Sequence, residues 1–477
     1  MERLIRQGKL PYFSSSEIEF SRLGIGFEKL DRDVFDPNKA YDKVSKIGVK
    51  KIRIQSGWMK TEKVKGVYDF SWLDTIVDNL ISRGMQPWLC LCYGNPLYTK
   101  LAESVFGAVG CPPVESREET DAWLRYVEAT VKHFKGKISL YEIWNEPDCM
   151  YSWKHFGEAK ENIDRERNAC EYGILASETA QIIRKADAEA KIAAFGLGHI
   201  ANLKWVNDAL STGLYKYIDY VTFHVYSSTD ARRGRKIASL RDLVNSYNPN
   251  IKLIQGESGA QTRSDGHGAM KGFAWSREKQ TKYLLRTLIC DLHEGVEFTS
   301  YFSTMDMIEA LTGKVGNKAS YLDYGYFGVI SAEFDEDGRA TGDYTEKPSY
   351  YALSALSSLL KGNACAEAIP YAIEDLPSRR VNGNDCSDRD IQVYNFKLDD
   401  GSKAMIYWKK ADILTETYEG TATFCVYGQK NDNIQICDLK DGTLYDLPEG
   451  MVEDLGNGGV RFKNIPITDS PLAILFK

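Results

Sequence analysis

The chain predicts a (β/α)8 TIM barrel followed by a C-terminal antiparallel β-sandwich. Short apolar strand patterns alternate with amphipathic helix patterns about eight times over roughly 340 residues, which is the order and size of a closed parallel barrel with loop insertions. No G-x-G-x-x-G turn follows an early strand, so a doubly wound open sheet has little to recommend it. After about Gly362 the texture changes to short strand runs separated by turns such as Asp400-Gly401 and Asp441-Gly442, the spacing of antiparallel hairpins. The predicted boundaries are a lead-in over 1–22 that pairs with the β domain, a barrel over 23–362 and a sandwich over 363–477. No low-complexity linker separates barrel and sandwich, so the two are expected to dock rigidly.

The elements follow in order. Leu23-Gly24-Ile25-Gly26-Phe27 opens the barrel, and a helix ending at Gly48 leads to the strand Val49 to Gln55. Ser71 is expected to cap a helix with Leu73, Ile76, Val77, Leu80 and Ile81 on one face. The third strand is Gln86 to Tyr93. A helix over 121–134 precedes the fourth strand, Ile138 to Asn145. Further strand patterns lie at Lys191 to Phe195, Ile218 to Tyr226, Ile251 to Glu257 and Glu297 to Phe302, with helices over 166–188, 202–211, 236–246 and 277–293 between them. Pro348 opens the last helix.

Composition narrows the function classes. Lys+Arg 60 against Asp+Glu 67 leaves a net charge of -7 with no basic stripe, which argues against a nucleic-acid partner. No segment is long and apolar enough to span a bilayer, so no membrane partner is expected. The N-terminal residues Met1 to Pro11 contain no apolar h-region, and the ten Cys include no C-x-x-C pair, so free thiols in a cytoplasmic protein are expected. No His stands at zinc-finger spacing, and no metal site is expected. With 28 Tyr and 9 Trp there is more ring surface than a core alone needs, and sugars bind on such faces. Nothing in the pattern fixes an oligomeric state.

Barrel chemistry sits at the C-terminal ends of the strands, which turns the strand reading into a residue list. Two strands end in a carboxylate: Tyr141-Glu142-Ile143-Trp144-Asn145-Glu146-Pro147-Asp148 and Ile251-Lys252-Leu253-Ile254-Gln255-Gly256-Glu257. Pro147 should end its strand at Glu146 and hold that residue in extended geometry. Two strand-end glutamates on one sheet is what acid/base work on a glycosidic bond requires. On the sixth strand Val221, Phe223 and Val225 suit the helix layer, leaving His224 and Tyr226 inward near the mouth. Arg53 also points inward and needs a carboxylate there, for which Glu257 is the candidate. Asn145 and Glu146 are adjacent, so a bulge or the strand's end must let both reach the site.

Trp144-Asn145-Glu146-Pro147 ending a fourth strand, with a glutamate ending a seventh, resembles the retaining glycoside hydrolases of clan A, and the fuller context Tyr-Glu-Ile-Trp-Asn-Glu-Pro-Asp is most similar to family 39 and its β-xylosidase-like members. The resemblance implies Glu146 as general acid/base, Glu257 as nucleophile, and Arg53, Asn145, His224, Tyr226 and Phe302 as substrate-binding residues. Two positions differ from that family: Glu257 stands in Gln-Gly-Glu-Ser-Gly rather than Thr-Glu-Phe, and Phe302 stands where many clan members carry Trp. The implied reaction is a double displacement on β-linked sugars that uses no cofactor and no metal. Long loops after the third, fourth, seventh and eighth strands favour a pocket and exo-action. Of the loop aromatics Tyr93, Tyr98, Trp153, Phe156, Trp275, Tyr321, Tyr324 and Tyr326, Trp275 is singled out as a subsite wall. A carbohydrate-binding protein on a dead scaffold is disfavoured because both glutamates are present; a transglycosylase shares the same residues.

Overall fold

In a computed structural model of the chain, eight parallel strands close into a barrel. They are β1 (Leu23–Gly26), β2 (Lys51–Gln55), β3 (Gln86–Leu91), β4 (Leu140–Ile143), β5 (Lys191–Leu197), β6 (Tyr220–His224), β7 (Lys252–Glu257) and β8 (Thr299–Tyr301). The barrel helices are α1 (Tyr41–Ile47), α2 (Ser71–Ser82), α3 (Arg117–Phe134), α4 (Arg165–Ala186), α5 (Leu203–Ser211), α6 (Arg233–Tyr247), α7 (Arg277–His293) and α8 (Pro348–Leu359). The structure describes the chain except for Glu2, 160–161, Ala231, 375–378, 382–383, 387–390, Glu416, 430–432, Asn457 and Lys477, and only the backbone at 379–381 and 384–386. Among the described residues no helix is long and apolar enough to cross a membrane.

Local chemistry explains where the helices begin. Ser116 accepts the Glu119 N–H and starts α3 four residues earlier than the apolar pattern alone predicts. Asp164 and Ser276 cap α4 and α7 in the same way. Ser71 is not the cap of α2: it is the helix's first residue, and its free N–H is taken by the Asp69 carboxylate. The period-two reading of β2 holds, with Ile52 and Ile54 in the core between strands and helices while Arg53 is turned into the barrel.

Beyond α8 two antiparallel sheets stack. One has seven strands, the other is formed by Tyr371–Ile373, Glu419–Tyr427, Gly459–Thr468 and Val452–Gly456. The edge strand of the larger sheet is Ile5–Lys9, which pairs antiparallel with Thr443–Asp446, so the two ends of the chain share a sheet. The strand Lys403–Lys409 is apolar on both faces because both are covered: Met405 and Tyr407 pack inside the sandwich, and Ala404, Ile406 and Trp408 join the barrel's core cluster. On the barrel side this contact is made by α7, whose Lys282 forms a 2.6 Å ion pair with Asp469, both buried. One turn on, Arg286 donates to the Asp469 carbonyl from Nε at 2.9 Å and from a terminal nitrogen at 2.5 Å, and to the carbonyls of Ala411 and Lys409 at 2.8 and 3.1 Å.

Candidate active site

The end of β4 departs from regular strand geometry. Pairing stops at Ile143, and both Trp144 and Glu146 adopt positive φ, 67° and 49°. The extended conformation expected of a residue before proline is therefore not what Glu146 has. Its N–H is held by the Gly196 carbonyl at 2.9 Å, and its own carbonyl accepts from Cys149 at 2.9 Å, so a turn pinned at both ends overrides the local preference. The Trp144 side chain is anchored away from the site, its indole N–H donating to the Ser152 carbonyl. The left-handed residue between strand and turn is what brings Asn145 and Glu146 to the same mouth.

Arg53 organises the floor. Its Nε donates to Glu142 at 2.7 Å, one terminal nitrogen to Glu257 at 2.6 Å, and the other to the Asn145 Oδ1 at 2.9 Å. Glu28, which follows β1, lies 3.2 Å from the same guanidinium. Arg53 is fully buried, so these carboxylates are what make its charge tolerable. The second Glu257 oxygen accepts from the Tyr226 hydroxyl at 2.9 Å. His224 stands between the two strand-end glutamates, with Nδ1 3.0 Å from Glu146 Oε1 and 3.5 Å from Glu257 Oε2. A register shift between β6 and β7 sets His224 beside Glu257.

These contacts separate the two carboxyls electrostatically. Burial opposes ionisation of Glu257, but the charges of His224 and Arg53, with hydrogen bonds from Glu28 and Tyr226, hold it down at about 2. Glu146 moves the other way: burial raises it, the charge of Glu257 adds to the rise, and His224 only partly offsets it. Burial and the Glu257 charge push the Glu28 carboxyl well above the usual range. Burial disfavours a charged His224, yet Glu257 and Glu146 outweigh it and raise the imidazole. Two neighbouring carboxyls pushed in opposite directions is the division that acid and nucleophile need.

An oxygen of Glu146, the His224 nitrogen and an oxygen of Glu257 lie within 4.8 Å of one another, which is also a spacing a metal could use. The Arg53 guanidinium, 2.6 Å from Glu257, already supplies the positive charge that a metal would bring, so the set fits a hydrogen-bonded relay better than a metal cage.

The glutamates open on a cavity of about 270 Å3. Tyr93, Tyr151, Tyr226, Phe302 and Phe327 form its aromatic wall, and Lys29 and Glu309 face it as a 3.4 Å ion pair. Phe302 is thus on the wall. Trp275 is not: its indole donates to the Met270 carbonyl at 2.9 Å and its ring meets Tyr283 edge-on, which makes it part of the core beneath the loop. Of the other loop aromatics only Tyr93 reaches the cavity among those named from the sequence. Tyr98 stacks on Trp58, Trp153 packs on Trp144, Tyr321 stacks on Phe106 and Phe156 is exposed. Sequence reasoning missed Glu28, Glu142 and Glu309. A carboxylate two residues past β1 was the one available signal, since a buried Arg53 needs more than one partner.

Residues 30–251 match the family described as Glycosyl hydrolases family 39. Over that stretch the chain is similar to glycoside hydrolase family 39. A β-xylosidase from Geobacillus stearothermophilus is 23% identical over 177 residues, which span 35% of this chain and 32% of that relative. Among solved structures, a family 39 glycoside hydrolase from Bacteroides cellulosilyticus WH2 superposes with a TM-score of 0.66 at 15% identity, covering 98% of this chain and 83% of that one. A family 39 β-xylosidase from Caulobacter crescentus gives 0.56 at 17% identity over 99% and 98%. At these identities the structures establish a shared fold, including the C-terminal β module.

Proposed function

We propose that this protein is a retaining glycoside hydrolase that removes single β-linked sugars from short oligosaccharides or glycosides, with β-xylosides the first substrates to test. The observation that carries the reading is the separation of Glu146 and Glu257, which have oxygens within 4.8 Å of each other. Retaining enzymes hold their two carboxyls about 5–5.5 Å apart, whereas inverting ones need about 6.5–9.5 Å to admit a water.

In the first step the Glu257 carboxylate attacks the anomeric carbon while Glu146 gives its proton to the departing oxygen. The glycosyl ester removes the negative charge of Glu257, which had helped to keep Glu146 protonated, so Glu146 is left ionised and can take a proton from water. That water then opens the ester, and the carboxylate and acid are restored. The Asn145 carbonyl oxygen is committed to Arg53, so its amide nitrogen is left to donate to a hydroxyl beside the reacting carbon. A cavity of about 270 Å3 suits one sugar ring and little more, which supports exo-action. The β-xylosidases among its relatives motivate the choice of sugar.

The test is hydrolysis of aryl β-xyloside, glucoside, galactoside and fucoside, and of an aryl α-L-arabinofuranoside, by wild type and Glu257→Ala with azide added. Rescue of the variant as a glycosyl azide of inverted configuration identifies the nucleophile and the sugar together. Sugar binding with no turnover, indifferent to either glutamate, would replace this reading with a binding protein on a glycosidase scaffold.

A further inference from the structure

The loop after β4 carries a second set of donor atoms that the glycosidase reading leaves unused. Asp148 and Cys149 follow Glu146 after Pro147, and His199 comes from the loop after β5. The Cys149 sulfur lies 3.4 Å from His199 Nδ1, that nitrogen lies 3.5 Å from Asp148 Oδ2, and the sulfur lies 4.0 Å from Asp148 Oδ1. Tetrahedral zinc, with ligands at about 2.0–2.3 Å, sets its donors about 3.3–3.8 Å apart; the sulfur–nitrogen distance already falls in that range, and one Asp148 oxygen lies within 4.8 Å of both, so a rotation of the carboxylate would bring the three donors round one ion.

The surroundings are built in the manner of a metal site. Asp148 is oriented by the N–H groups of Gly198 at 2.8 Å and His199 at 3.2 Å, the outer-layer bonding that fixes ligating carboxylates. Cys149 is buried, whereas the His199 side chain is 67% exposed, which leaves an entry path for an ion. A side chain at residue 198 would crowd the cluster, since a Cβ there would stand 2.3 Å from the Cys149 sulfur. The same Cβ position lies 3.2 Å from the Glu146 carboxyl carbon, and His199, Tyr151 and Glu146 line one cavity.

We propose that Asp148, Cys149 and His199 form a binding site for a thiophilic divalent cation, Zn2+ fitting best, on the cavity wall beside Glu146. One nitrogen, one sulfur and one oxygen is a donor set that selects zinc or cadmium over magnesium or calcium. On binding, the Cys149 thiol gives its proton to solvent and the thiolate bonds the ion. Three protein ligands leave the fourth position to water, and ion and water together occupy space that a leaving group needs. Zn2+ therefore acts as a competitive inhibitor that raises KM and leaves kcat unchanged. This last consequence rests on the proposed hydrolase activity; the site itself does not.

The metal-free full chain is titrated with Co2+ as a spectroscopic probe and then with Zn2+. The expected result is a one-to-one thiolate-to-cobalt charge-transfer band that Zn2+ displaces, absent in Cys149→Ser. His199→Ala, at an exposed side chain, should weaken binding by more than the roughly 10–100-fold that loss of an outer-layer partner costs. Thermal unfolding shows whether Cys149→Ser is folded, and if it is not, the loss of affinity in His199→Ala decides between site and no site. No band, or the same band in both variants, overturns the site. Aryl glycoside hydrolysis is then followed with Zn2+ and with a chelator; saturating Zn2+ without a rise in KM overturns the placement beside the leaving group. If no glycoside is turned over, the cobalt titration still reads the site alone.

Discussion

Tyr226→Phe isolates what holds Glu257, the proposed nucleophile, ionised. The change removes one hydroxyl whose only loss of consequence is its 2.9 Å hydrogen bond to Glu257. A hydrogen bond to a charged group contributes about 1.5–3 kcal/mol, and at about 1.4 kcal/mol per pKa unit its loss raises the Glu257 carboxyl by about 1–2 units. Glu257 starts at about 2, and Arg53 and His224 remain in place, so the variant should titrate at roughly 3–4, still below an ordinary glutamate. The assay is kcat/KM for an activated aryl β-glycoside across pH, measured as initial rates with the fold checked at each pH. Wild type should keep its activity down to roughly pH 3, while Tyr226→Phe should lose activity as Glu257 takes up its proton at roughly pH 3–4. The basic limb, which belongs to Glu146, should not move. Coincident acidic limbs in the two proteins would refute the claim that this hydrogen bond sustains the ionised nucleophile.

Other expectations can be checked with single substitutions. Glu146→Gln should abolish the basic limb of the pH profile and slow glycosides with poor leaving groups by about 10²–10⁴-fold, with far less effect on activated aryl glycosides, as leaving-group dependence would show. Arg53→Met leaves Glu142 and Glu257 buried without their shared cation and should cost about 3–5 kcal/mol in urea unfolding at neutral pH. Because Glu257 is depressed in the folded protein, its share of that stability is present above the ordinary glutamate range and is lost as pH falls through about 2, so the gap between wild type and variant should narrow toward acid. Lys282→Met strands the buried Asp469 and should cost about 3–5 kcal/mol, splitting the unfolding of barrel and sandwich into separate transitions.

The barrel was legible because each strand and helix carries its own period, and β2, β6 and β7 place Arg53, His224, Tyr226 and Glu257 inward by simple alternation. The pattern gives out where tertiary contacts decide. Glu146 takes a positive φ that its neighbour Pro147 argues against, because the Gly196 carbonyl holds its N–H. Trp275 resembled a sugar platform in sequence, but its ring is claimed by Tyr283 from α7. Lys282 and Arg286 sit on a helix face that a free-standing barrel would expose, and only the docked sandwich explains their burial. Glu28, just past β1, and Glu142, on β4, serve one guanidinium, a relation to which the only signal was the need of a buried Arg53 for more than one carboxylate. Asp148, Cys149 and His199 are likewise joined only by the approach of two loops, some fifty positions apart in the chain.

The central claim is that Glu146 and Glu257 stand too close to admit a water between sugar and enzyme, so reaction passes through a glycosyl ester. Proton NMR of the first-formed sugar, recorded on an activated β-glycoside before mutarotation, reads this directly. The account predicts that the β-anomer appears first and the α-anomer only by later equilibration. Initial release of the α-anomer would mean single displacement by water and would contradict the account.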